Sequence, residues 1–172
     1  DDVTAPDSLL ATPKHFAAYG AVAAGMEYAP VDISEQSVRD IHLPPFKAAF
    51  DAGALTVMSA FNDINGVPAS ANTWLLTHVL RHEWGFDGVV VSDYTADMEL
   101  IAHGYAADAV DATCKAFNAG LDMSMQSGFY NDHLPALVRS GQVSQAWLDA
   151  AVRRVLMLKE RIGLLDDPYR AL

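Results

Sequence analysis

The sequence predicts an α/β fold with parallel strands, and three observations support that class. Short apolar runs, including L-T-V-M-S-A-F at 55–61 and G-V-V-V-S at 88–92, alternate with segments of helical periodicity. The runs show no regular polar alternation, which is typical of strands covered on both faces. Each run ends abruptly at polar residues, and parallel α/β folds keep their binding groups at that end of the strands.

Two architectures fit this alternation, a doubly wound sheet and a (β/α)₈ barrel. A doubly wound sheet usually carries a glycine-rich phosphate loop after an early strand, and neither G-x-G-x-x-G nor a P-loop is present. A complete barrel needs about 250 residues. The 172 residues have room for roughly half of one, so the barrel alternative is a partial (β/α)₈ barrel.

Taken in order, the elements are four strands with helices between them. The strands are expected near 11–15, 55–61, 88–92 and 121–125. Helical signals cover 32–41, 46–52, 70–84, 97–102, 108–119, 133–140 and 144–163. Because Pro13 cannot donate a ladder hydrogen bond, the first strand should finish near it. The loops that follow the strands should share one end of the sheet.

Composition limits the classes of partner. The chain has 22 acidic and 11 basic residues, a formal net charge of −11, and no run of Lys or Arg. Such a surface repels a phosphate backbone, so nucleic acid is not an expected partner. No apolar stretch approaches the roughly 20 residues of a membrane span, so no membrane is expected either. The single cysteine, Cys114, is interpreted as a buried small hydrophobe, which leaves the compartment open.

Asp93 ends the most apolar run, G-V-V-V-S-D-Y. A carboxylate at the carboxyl end of a buried parallel strand occupies the position where such folds carry their chemistry. The same aspartate could instead cap the helix that follows it. The run alone leaves both interpretations open.

Six segments in one order resemble glycoside hydrolase family 3, particularly its bacterial β-glucosidases. They are P-K-H-F-A-A-Y-G, V-D-I-S-E-Q-S-V-R-D-I-H-L-P-P-F-K-A-A-F-D-A-G, V-M-S-A-F-N-D-I-N-G-V-P-A-S, L-R-H-E-W-G-F-D-G-V-V-V-S-D-Y, A-G-L-D-M-S-M and G-L-L-D-D-P-Y. The resemblance implies that residues 1–165 are the second half of the family's N-terminal (β/α)₈-like barrel domain. It implies that 166–172 begin a linker to a missing α/β sandwich domain, and that the acid/base glutamate lies further downstream.

The resemblance also implies a retaining, exo-acting β-glycoside hydrolase. The expected activity is that of a β-glucosidase, which releases glucose from non-reducing ends of β-glucosides. The alternative within the family is a β-xylosidase. Asp93 matches the catalytic nucleophile, and Lys14 and His15 match the pair that binds sugar hydroxyls. Phe61 and Tyr94 stand where many members have tyrosine and tryptophan, so each is either a substrate contact or a packing residue. The family further implies a non-proline cis peptide near Lys14 and His15, no cofactor, and a periplasmic or secreted protein.

Several features of the sequence bear on other interpretations. The K-H-F-x-G-H-G loop of the hexosaminidase branch is absent, and none of Glu27, Glu83 and Glu99 is assigned as the acid/base. The pair in H-V-L-R-H lacks the glutamate of H-E-x-x-H, so no metal site is expected there. A truncated barrel half that assembles or binds sugar without turnover stays open. The expected partners are a β-linked glucoside or oligosaccharide, and protein that completes the barrel, either the remainder of the same enzyme or a second chain.

Overall fold

The structure is a computed structural model that describes Val3, Ala5 and residues 8–169. Its strands are β1 Thr56–Met58, β2 Asp63–Ile64, β3 Val67–Pro68, β4 Val89–Tyr94 and β5 Met123–Met125. Strands β1, β4 and β5 form a parallel sheet in that order, and β2 pairs with β3 in a short antiparallel hairpin. The α/β class and the partial barrel are confirmed, with three of the predicted strands present in somewhat different bounds.

The start of β4 depends on a glycine. A Cβ atom at Gly88 would lie 2.2 Å from the carbonyl oxygen of Leu55, so no side chain fits there. The two strands then run in register from Thr56 beside Val89 onward. Asp93 lies four residues after Val89, about 13 Å further along β4. The W-G-F-D-G segment therefore sets the register that carries Asp93 to the carboxyl end of the sheet.

The strand predicted at 11–15 is wrong in its bounds. The segment is attached to β1 by an isolated parallel bridge between Phe16 and Ser59. The Met58 N–H donates to the Pro13 carbonyl at 3.2 Å, and the Phe16 N–H donates to the Met58 carbonyl at 2.8 Å. Pro13 has no N–H of its own to continue a ladder. The peptide bonds Lys14–His15 and Phe16–Ala17 are both cis, so the expected cis peptide is present at the pair.

The α-helices are α1 Glu35–Ser37, α2 Pro44–Asp51, α3 Ala109–Ala119, α4 Phe129–Arg139 and α5 Gln145–Arg161. Val38–His42 and Trp74–Glu83 have the wider π-helical pattern, and Met98–Leu100 is a single 3₁₀ turn. Side-chain caps fix two helix starts, since the Ser34 hydroxyl accepts from the Ser37 N–H and the Asp108 carboxylate accepts from the Asp111 N–H. Of these helices, α4 packs against β5 and α5 packs against β4.

Two predicted helices begin earlier in the structure than expected. The helix expected at 133–140 begins at Phe129, after Gly128 in the left-handed region at φ 78°. The helix expected at 46–52 begins at Pro44, the first residue of α2. A missing N–H costs nothing at that position.

The main core lies beneath the sheet and against the helix Trp74–Glu83. Its fully buried members include Phe16, Val57, Leu75, Leu76, Leu80, Val90 and Leu121. A smaller cluster joins α3, α4 and α5 through Phe117, Leu134, Leu137, Val143 and Ala151. Cys114 packs beside this second cluster but is only partly buried, so the expectation of a fully buried thiol is corrected.

Apolar side chains stay exposed at both borders of the sheet. Leu9, before the first segment, is 92% exposed, and Met123 on β5 is 40% exposed. On α5, Val152, Leu156 and Met157 are about half exposed. Within the described residues no strand pairs with the free edge of β5. No helix in the described part of the chain is long and apolar enough to cross a membrane.

Candidate active site

Two side chains singled out from the sequence meet at the carboxyl end of the sheet. Nε2 of His15, from the segment beside β1, lies 3.0 Å from Oδ2 of Asp93, near the end of β4. The other oxygen of Asp93, Oδ1, accepts a 2.7 Å hydrogen bond from the Tyr94 backbone N–H. Asp93 is only 8% exposed, and no described residue donates a well-aligned hydrogen bond to Oδ2. The carboxylate is thus fixed through one oxygen and faces an imidazole with the other.

An aromatic group borders this pair. The ring of Tyr19 lies 5.0 Å from the ring of His15, between centroids, and the ring of Tyr28 lies 4.8 Å from that of Phe61. Tyr94 is 55% exposed and makes no ring contact with a described residue. Phe61 therefore packs against neighbouring rings, while Tyr94 presents an open aromatic surface at the end of β4.

Tyr19 and Tyr28 were missed by the sequence reasoning. Tyr19 lies within the small-residue run A-A-Y-G-A-V-A-A-G at 17–25, and Tyr28 lies three residues after it, so the two tyrosines gave no periodic signal. The Tyr19 hydroxyl donates to Oε1 of Glu27 at 2.8 Å. Burial, with Glu27 beside it, raises the pKa of Tyr19 well above its usual range. This hydroxyl is a neutral donor that orders the loop above His15.

Lys14 does not join the pair formed by His15 and Asp93 in the described structure. It is exposed and makes no hydrogen bond or ion pair with a described residue. It lines a cavity of about 340 Å³ with His15, Tyr19, His42 and Phe46. Lys14 therefore lies beside His15 at this cavity and does not contact Asp93.

Two of the three unassigned glutamates lie at this end. Burial raises the pKa of Glu99, and the charges of Asp93 and Glu27 add to the rise, while the Thr95 hydroxyl and His103 oppose it. Glu99 lines a cavity of about 470 Å³ with Tyr28, Ala102 and His103. The third, Glu83, is held by both terminal nitrogens of Arg39 on the outer helices.

Metal-ligand groups are not assembled in the described part of the chain, where no three His, Cys, Asp or Glu side chains lie close enough to hold an ion. His78 and His82 stack on each other, 5.7 Å between ring centroids, on the exposed face of their helix. The pair is part of the surface and lies apart from Asp93.

Comparisons with known proteins identify the family of the chain. The family described as Glycosyl hydrolase family 3 N terminal domain matches residues 3–158. A periplasmic beta-glucosidase of Salmonella typhimurium is 52% identical over 94% of this chain, and a putative beta-xylosidase of Formosa agariphila is 38% identical over 92% of it. The crystal structure of a beta-glucosidase from Listeria innocua in complex with glucose has a TM-score of 0.96 at 43% identity over 99% of this chain.

The matches cover a small share of those proteins. The chain spans 21% of the Salmonella and Formosa proteins and 24% of the Listeria chain. The family match covers nearly the whole of the present sequence, and the solved structure superposes on almost all of it. The chain therefore belongs to glycoside hydrolase family 3, as part of that family's N-terminal barrel domain.

Proposed function

We propose that the chain carries the nucleophile half of a retaining, exo-acting β-glucosidase, with Asp93 as the nucleophile. The observation that supports this is the geometry of Asp93. Its Oδ1 is held by the Tyr94 N–H, and its buried Oδ2 faces His15 at 3.0 Å. A fixed carboxylate with one oxygen not otherwise hydrogen-bonded is what attack on an anomeric carbon requires.

In the proposed reaction an Asp93 oxygen bonds to the anomeric carbon as the bond to the leaving-group oxygen breaks. A general acid outside this chain protonates that oxygen, and a retaining enzyme places it about 5 to 5.5 Å from the nucleophile. In the second step water attacks the same carbon, gives its proton to that acid's conjugate base, and releases Asp93 as a carboxylate. Two inversions at one carbon retain the β configuration.

The surrounding side chains have separate roles in this proposal. Lys14 and His15 donate hydrogen bonds to hydroxyls of the sugar that is cleaved off, and His15 also keeps a donor beside Asp93. Tyr94 offers its exposed ring to a sugar face, while Phe61 supports the wall of the site. Glucose is the proposed sugar because the Salmonella and Listeria proteins are beta-glucosidases. Xylose is the second candidate because similar proteins from Formosa agariphila are named beta-xylosidases.

The domain assignment is also a proposal. Residues 1–165 form the second half of the barrel, and 166–172, whose last three residues lie outside the described part, begin the linker to a sandwich domain. The remainder of the same enzyme closes the barrel against the segment 11–15 and β5, both of which have an open side in the described residues. The non-catalytic alternative is a barrel half that binds sugar without turnover.

Covalent trapping tests the function. In the full-length enzyme, an activated 2-fluoro-glucoside is expected to stop turnover with one label per active site, on the peptide that contains Asp93. Labelling of another carboxylate would end the assignment of Asp93. Reversible inhibition by the same reagent without any covalent label would support the non-catalytic alternative.

The open borders give a prediction about assembly. Leu9, Met123 and the α5 residues Val152, Leu156 and Met157 would remain wet in an isolated 172-residue polypeptide. Since unpaired strand edges and exposed apolar faces associate, this polypeptide should self-associate. It should also fail to cleave alkyl glucosides, because their poor leaving groups need protonation by the proposed acid outside this chain. Analytical ultracentrifugation and an alkyl-glucoside assay check both points. A stable monomer with full alkyl-glucosidase activity would show that the chain is a complete enzyme.

A further inference from the structure

Asp97 is a buried carboxylate that the proposed mechanism does not use. Its side chain is fully buried. Its Oδ2 accepts hydrogen bonds of 2.7 Å from the hydroxyls of both Ser124 and Ser127. Its Oδ1 is buried without a partner among the described residues. Burial of a half-satisfied carboxylate opposes folding, so stability alone does not account for an acid at this position.

These bonds join the turn after β4 to Ser124 within β5 and to Ser127 in the turn that follows β5. We name Asp97, Ser124 and Ser127 the inter-turn clamp. Two further bonds connect the ends of β4 and β5, since the Met125 N–H donates to the Ser92 hydroxyl at 2.7 Å and the Thr95 N–H donates to the Met125 carbonyl at 3.0 Å. The clamp is the buried, side-chain part of this connection.

The turn that the clamp holds is strained. Thr95 adopts φ 59°, in the left-handed region, which is unfavourable for a β-branched residue. Such a conformation persists only where the surrounding structure determines it. Thr95 follows Tyr94 directly, and the Tyr94 N–H is the donor that binds Oδ1 of Asp93. Relaxation of the turn would therefore move the donor that orients the nucleophile.

We propose that Asp97 is a positioning residue for the nucleophile. Through the inter-turn clamp it keeps Thr95 in its left-handed conformation, and so fixes which Asp93 oxygen the Tyr94 N–H binds and which is left to attack the sugar. The proposal rests on the proposed function, in which Asp93 forms the glycosyl-enzyme bond. Asp97 itself touches neither the sugar nor the reacting atoms.

The test measures formation of the glycosyl-enzyme in the full-length enzyme. For Asp97→Ala, the rate constant of inactivation by a 2-fluoro-glucoside, per titratable active site, should fall about 10- to 100-fold. The inhibition constant of glucose should change little, because the sugar-binding side chains stay in place. The double variant Ser124→Ala/Ser127→Ala should reproduce this loss, and adding Asp97→Ala to it should lower the rate little further, because the three residues act as one unit.

Thr113→Val is the matched control. Thr113 is a fully buried hydroxyl on α3 that donates to the Ala109 carbonyl, away from the site, so its loss should lower the thermal midpoint and leave the labelling rate unchanged. If Asp97→Ala does not fold, the double serine variant carries the test. Labelling of Asp93 at the wild-type rate in the clamp variants would overturn this inference alone. Parallel loss of glucose binding and labelling would also overturn it, whereas labelling of a residue other than Asp93 would refute the proposed function itself.

Discussion

Asp93→Asn in the full-length enzyme is expected to lower kcat for an aryl β-glucoside by at least about 10⁴-fold. The amide keeps the shape of the carboxylate, and the Tyr94 N–H can still donate to its oxygen. A neutral amide cannot attack the anomeric carbon to form the ester, so the covalent step is lost. Sugar binding should survive, because His15 and Lys14 remain. Steady-state kinetics and calorimetric titration with glucose measure the two quantities separately.

Asp87→Asn is the matched control for this substitution. Asp87 is exposed and precedes β4 at the opposite end of the same strand from Asp93. Its replacement removes the same charge and should leave kcat at the wild-type value. Activity of Asp93→Asn within tenfold of wild type, after exclusion of deamidation by mass spectrometry, would contradict the assignment of the nucleophile.

Asp122→Ala is expected to cause the largest loss of stability of any single substitution discussed. Asp122 is buried at the start of β5, where Oδ2 accepts from Arg81 at 2.6 Å and Oδ1 accepts from Arg154 at 2.6 Å. Burial lowers the pKa of Arg81 to about 10, and Arg154 contributes, while Asp122 opposes the shift. Removal of the carboxylate leaves two cations facing each other without the hydrogen-bonded partner that they share, a change that costs about 3–5 kcal/mol.

Differential scanning calorimetry of the full-length enzyme measures this loss as a lower midpoint for the transition that contains the barrel. Asp51→Ala is a suitable control, because Asp51 forms an exposed ion pair with Lys47 on α2. Exposed pairs contribute little, so the control midpoint should stay close to wild type. Equal midpoints for Asp122→Ala and Asp51→Ala would show that the buried network does not stabilise the fold.

The sequence was sufficient for features that depend on neighbouring residues. The strands β1 and β4 lie in largely apolar runs and β5 in the short segment L-D-M-S-M, and Asp93 could be placed at a strand end from its own segment alone. The first segment was misjudged because its apolar residues suggested a strand, whereas it contains Pro13, which has no N–H, and makes a single bridge to β1.

Features that depend on distant residues escaped the sequence. Asp122 lies 41 residues from Arg81 and 32 from Arg154, and no spacing rule connects them. Tyr19 and Tyr28 reach the site through an irregular loop, and Asp97 meets its two serines only when β4 and β5 pair. Contacts of this kind become visible only when the topology is known.

The direction of α5 affects how Asp93 and its partner acid would be brought together. Its last turns, with Leu158 and Arg161, line a cavity beside Leu55 and Gly88, the residues that precede β1 and β4. The helix therefore ends near the amino ends of β1 and β4, whereas Asp93 lies near the carboxyl end of β4. An acid supplied by later sequence would have to return over the height of a strand, about 16–20 Å or some six extended residues. The separation of the two carboxyl groups would then depend on how this barrel segment docks against the part of the protein that carries the acid. Substitutions at that docking face, remote from the sugar, would therefore change the rate of glycosyl transfer.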